Sequence, residues 1–131
     1  MSLYNDEQGF SSSGVWTPVD ISGAGLILVV DSCRWVRTGD IVHAFFRITY
    51  PSTVSGTICL IGGVPWTANN PATMVHGGYL TYTSFGSALT ILFGSAGTSF
   101  RFGDFSGNSK TNANLSAKEM RGVLIYEAIV N

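Results

Sequence analysis

Short apolar runs rich in β-branched residues, each closed off by Gly, Ser, Thr or Asn, fill this chain from Gly14-Val15-Trp16-Thr17-Pro18 to the end. Each run is too short and too β-branched to build a helix, so the chain must pair its runs as strands. The clearest is residues 41–50. Val42, Ala44, Phe46, Ile48 and Tyr50 alternate with Ile41, His43, Phe45, Arg47 and Thr49, which predicts a strand with its even positions toward a core. Runs of this kind make an all-β shell whose loops and outer faces, rather than a deep cleft, are free for work.

The other runs follow the same logic. Residues 15–21 form a first strand held at an edge by Pro18, and residues 26–36 a long one, buried on both faces where it begins. Arg37-Thr38-Gly39-Asp40 makes a hairpin turn into 41–50. Strands are predicted at 57–61, 75–85, 88–93, 98–102 and 123–130, with one helical turn at 115–120 that Asn114 is placed to cap. About eight strands at this spacing give a jelly-roll-like antiparallel β-sandwich. The domain runs over 14–131, after a loose lead-in at 1–13.

Charge narrows the function. Only 11% of the 131 residues are Asp, Glu, Lys or Arg, against 45% hydrophobic, where domains average about 25% charged. A surface this poor in charge is relieved by packing against copies of the same chain, so the leading expectation is an obligate oligomer, the competing reading being a surface made polar by the plentiful Ser, Thr, Asn and Gly. Its seven cations are scattered and the net charge is −1, so a nucleic-acid partner lacks its electrostatic footprint. No apolar run reaches membrane-spanning length and no signal-peptide pattern opens the chain, so membrane insertion is not expected. Cys33 and Cys59 read as two small buried side chains, bridged only if their strands are neighbours.

Three segments in order carry a resemblance. They are Gly14-Val15-Trp16-Thr17-Pro18, then Trp35-Val36-Arg37-Thr38-Gly39-Asp40-Ile41-Val42, then Ile61-Gly62-Gly63-Val64-Pro65-Trp66. Together they resemble the C-terminal domains of bacteriophage tail fibres and tailspikes, which show G-x-W-x-P, Y-x-K-x-G-N-x-V and I-x-G-L-P-F. The departures are Trp35 for Tyr, Asp40 for Asn, and an added Gly63. The match spans about four-fifths of the chain, and its motifs speak to fold and assembly more than to ligand. The resemblance implies a homotrimeric β-sandwich at the tip of a virion's tail fibre, touching host-surface polysaccharide or lipopolysaccharide. Binding residues in such domains lie on variable tip loops, so none is carried over.

Chemistry-bearing constellations are sparse. His43 sits mid-strand and His76 beside Gly77-Gly78, with no G-x-S-x-G elbow and no metal-ligand spacing. The eight carboxylates show no close pair, although folding could assemble the two that a glycosidase needs. No catalytic residue, metal or cofactor is therefore expected. Arg47 and Glu127 lie within apolar strands and call for partners, either each other or groups across a subunit contact, unless their faces are simply solvated.

Exposed aromatics are the better lead. Trp66 sits in a Pro-rich loop, Tyr79 and Tyr82 follow a Gly-Gly pair, and Phe100, Phe102 and Phe105 surround a Gly- and Ser-rich stretch. An aromatic ring stacks on the C–H face of a sugar while Asn, Asp and Ser bond its hydroxyls. Trp66, Asn69, Tyr79, Asp104, Phe105 and Asn108 are the expected glycan contacts. The competing reading makes the aromatics plugs at the ends of the sandwich. The leading function is a trimeric receptor-binding fibre tip; a purely structural trimerisation or capping module, a small secreted lectin-like or signalling domain, and a hydrolase stand behind it.

Overall fold

The computed structural model describes residues 11–69, 76–94 and 96–129. The apolar runs form ten strands: β1 (Ser11–Val15), β2 (Val19–Asp20), β3 (Val29–Val30), β4 (Arg34–Thr38), β5 (Ile41–Thr49), β6 (Ile61–Gly62), β7 (Gly77–Thr83), β8 (Thr90–Phe93), β9 (Phe100–Gly103) and β10 (Glu119–Glu127). One 3-10 turn, Ala113–Leu115, precedes β10, and no α-helix occurs among the described residues. The lead-in residues 1–10, the strand ends at Val75 and Val130, and the Asn70-Pro71 end of the Trp66 loop lie outside the described residues.

The strands pair into two antiparallel sheets in a sandwich-like arrangement. One runs β1-β4-β5-β10-β7, with β3 on the far end of β5; the other runs β2-β6-β9-β8. The alternation in β5 is realised as read. Val42, Ala44, Phe46 and Ile48 are buried while Ile41, His43, Phe45 and Arg47 are exposed. From the neighbouring strand Met120, Leu124 and Tyr126 point to the same interior, where Ile61, Ile91, Phe100 and Phe102 meet them from the second sheet. Phe100 and Phe102 are fully buried, so both are core plugs rather than surface aromatics.

The sequence motifs have physical reasons. Trp16 turns inward and its indole N–H is shared between the carbonyls of Arg34 (3.2 Å) and Phe45 (3.0 Å), which pins the first segment across two strands. Gly14 faces the Trp35 ring so closely that a Cβ there would lie 2.8 Å from Trp35 Nε1. The added Gly63 holds φ at +85° and backs onto the Thr17 carbonyl, where a side chain has no room.

Several expectations change. The long strand at 26–36 is broken, because Ser32 adopts φ +55° and splits it into β3 and β4. It is also not buried on both faces at its start, since Ile27 and Val29 are 83% and 62% exposed. Pro18 divides the first predicted strand into β1 and β2, with pairing already begun at Ser11 inside the expected lead-in. The helical turn at 115–120 is a single 3-10 turn at 113–115; Asn112 precedes it without a side-chain cap, and Glu119 already belongs to β10.

Candidate functional site

β7 borders the first sheet, with β10 on one side and, among the described residues, no strand on the other. Its pattern of Tyr79 and Thr81 against Leu80 and Tyr82 suggests that the two tyrosines point apart. They do not. Leu80 pairs with Gly122 and Tyr82 with Arg121, leaving Thr81 as an extra residue in a bulge. The bulge resets the alternation and brings Tyr79 and Tyr82 to one face, 57% and 47% exposed. The Arg121 guanidinium lies over the Tyr82 ring at 4.7 Å.

Against this edge stands the turn that follows β9. A bridge between Gly103 and Ser109 closes it. Asp104 builds its interior: Oδ1 accepts the backbone N–H groups of Ser106 and Asn108, each at 2.9 Å, and Oδ2 accepts the Asn108 side-chain amide at 3.2 Å. The Asn108 N–H is the leading reason that the Asp104 carboxyl sits below the usual carboxylate range. Gly107, at φ +88°, completes the loop. At its tip Phe105 is 78% exposed, an apolar ring held out by a turn fastened from within.

Tyr79, Tyr82 and Phe105 line one shallow cleft of about 320 Å³, with Leu80, Thr81, Thr83, Ala88 and Leu89 as its remaining walls. The Thr81 and Thr83 hydroxyls donate to the carbonyls of Arg121 (3.3 Å) and Glu119 (3.0 Å); the Thr83 oxygen also accepts the Phe85 N–H at 3.1 Å, so Thr81 is the hydroxyl with lone pairs left for a ligand. The lining carries no carboxylate, imidazole or thiol. Such a surface stacks on and hydrogen-bonds a flat-faced ligand.

The other expected contacts lie elsewhere. Trp66 is half-buried, edge-on to Trp35 at 5.5 Å and under the Arg37 guanidinium at 4.5 Å. Its backbone N–H donates to the Tyr126 hydroxyl at 3.2 Å, a phenol whose pKa burial pushes up to about 12. Its indole N–H finds no partner among the described residues. One face of Trp66 still borders a separate depression of about 280 Å³ with Pro65, Thr67 and Ile129. Asn69 is tied to the end of β10: its side-chain amide donates to Glu127 Oε1 at 3.1 Å and its N–H to the Glu127 carbonyl at 2.7 Å.

Arg47 and Glu127 do not pair within the chain. The register sets Arg47 opposite Arg121 and Glu127 opposite Ile41, six residues or about 20 Å away along the strand. Arg47 instead bonds Glu119 at 2.7 Å and approaches Asp31 at 3.6 Å, while Arg121 bonds the same Glu119 oxygen at 2.8 Å. Both cysteines are free and buried, Cys33 beside β5 and Cys59 beside β9 in the opposite sheet. No cluster of His, Cys, Asp and Glu able to hold a metal ion occurs among the described residues. No described helix is long and apolar enough to cross a membrane.

Of the six expected contacts, the fold brings Tyr79 and Phe105 together, with Asp104 and Asn108 as the frame beneath Phe105. Tyr82 is the member that a strict alternation of two conceals. No protein-family model, curated protein or solved structure matches this chain.

Proposed function

We propose that this chain is a non-enzymatic, receptor-binding domain at the tip of a phage tail fibre or tailspike, a jelly-roll-like sandwich that works as a homotrimer and binds host-surface polysaccharide or lipopolysaccharide. The observation that carries the binding half is the convergence of three exposed aromatics, Tyr79, Tyr82 and Phe105, on one cleft. Exposed rings cost solvation and are kept where they bind. Here Phe105 rides on a turn whose polar groups are already engaged, so little ordering entropy is lost when a sugar stacks on it. Each cleft is shallow and weak alone, and three on one rigid head gain affinity through avidity. The fibre-tip half of the reading rests on the resemblance of the motif segments that hold Gly14, Trp16 and Trp35.

The test is a glycan array, with binding to bacterial polysaccharide and lipopolysaccharide measured in solution. Wild-type protein is expected to bind. Phe105→Ala and Tyr82→Ala are expected to lose about tenfold or more at each site, the scale of one aromatic face removed from contact, with an unchanged thermal midpoint. A clean trimer that binds no glycan moves the conclusion to the structural capping module.

A further inference from the structure

The outer face of the first sheet is an unusual surface for a protein to leave in water. The register lays Val15, Arg34, Phe45, the buried Val123 and Tyr79 in one row across it, and Val36, His43 and Ile125 in the next. Val15 is 73% exposed, Phe45 45% and Val36 38%, and Ile41 (42%) extends the patch along β5. The five strands carry five to nine residues each; at about 4.8 Å between strands and 3.4 Å per residue they span roughly 600 Å² in projection. That whole face, apolar and polar together, approaches the roughly 800 Å² per partner of a stable interface.

The charges on this face say what covers it. Arg47 and Arg121 are compensated by Glu119, and Arg47 also by Asp31. Among the described residues two charges on the face make no ion pair, Arg34 and Glu127. They sit two strands and four residues apart by register, about 17 Å, too far to meet in one chain. One is a cation and the other an anion whose Oε1 accepts the Asn69 amide, so a second copy of the same face supplies the opposite charge that each lacks.

We infer that this face is the contact between copies of the chain, with Phe45 and Val36 at its apolar centre and Arg34 of one copy paired with Glu127 of the next. The inference rests on the assembly proposed above and names the surface that makes it. Head-to-tail repetition around a closed ring gives each copy one such pair on either side. Tyr79 lies where this face meets the aromatic cleft, so the cleft stays open at the rim of the contact.

Sedimentation velocity and light scattering across a dilution series test it. Phe45→Asp, and independently Val36→Asp, are expected to raise the concentration for half-assembly at least about thirtyfold, as loss of a central anchor does. Both positions are partly exposed, so the variants are expected to keep their strands, which circular dichroism checks. Arg34→Glu and Glu127→Arg each weaken assembly, and the two combined restore it. Assembly unchanged in both aspartate variants, or no rescue in the double charge reversal, overturns the inference while leaving the glycan reading untouched. A wild-type chain that stays monomeric throughout overturns the assembly with it. Monomeric Phe45→Asp that still binds a single glycan weakly supports both.

Discussion

Gly14 keeps the Trp35 ring flat against the backbone of β1, and it shows how a motif glycine acts through sterics. Gly14→Ala is expected to cost about 1–3 kcal/mol of unfolding free energy, the range for overpacking a tight site, read from urea denaturation. Asn112 is fully buried and its amide links Ser22 (3.0 Å) to Ser55 (3.2 Å), joining two loops that are distant in the chain. Asn112→Leu removes the amide that joins the two hydroxyls and should destabilise by about 1–3 kcal/mol in the same assay. Nothing local in the sequence marks Asn112, because its partners are set by tertiary packing. The cysteines were legible as buried, and both are free, Cys33 beside β5 and Cys59 beside β9. Burial pushes both thiols above their ordinary pKa, so a thiol reagent should label them only on unfolding, and a reductant should leave the thermal midpoint unmoved.

Alternation is the element-scale signal, and it succeeds where a strand is regular and fails where one residue is added. In β5 it placed every buried side chain from Val42 to Ile48. In β7 the bulge at Thr81 reversed the reading of Tyr82, and with it the composition of the cleft. Strand breaks at Pro18 and Ser32 raised the count from about eight to ten, because a proline or a positive φ divides a run that hydrophobicity alone joins. The turn at 104–108 was legible as a polar loop, but the inward use of Asp104 was not, since the same residue types serve ligand or loop equally well. Asp104→Ala is expected to loosen the turn, to reduce glycan binding through Phe105, and to raise hydrogen exchange at the Ser106 and Asn108 amides.

At the scale of the whole molecule, the Arg47–Glu119–Arg121 cluster ties β5 to β10 across the centre of the first sheet. Arg121, then Arg47, hold the Glu119 carboxyl below its ordinary range. A carboxylate depressed in the folded state stabilises the fold above the unfolded pKa, and that contribution fades as pH falls through the folded value. Urea midpoints should therefore drop below about pH 4, and Glu119→Gln should flatten part of that drop. The sparse charge of the sequence pointed to a hidden surface, and the register of the first sheet supplies a specific candidate for it. Composition could not locate that surface, because it belongs to five strands drawn from residues 11 to 127.

β5 and β10 are neighbours in the middle of their sheet, yet about seventy residues separate them along the chain. A ribosome making this protein releases β5 long before its mate exists. Until β10 emerges, the even side chains of β5 have no partner on that flank, and the nascent sheet shows an open apolar edge to whatever is nearby. Synthesis thus has a vulnerable interval whose length the topology sets, and chaperone demand should peak within it and end once β10 clears the exit tunnel.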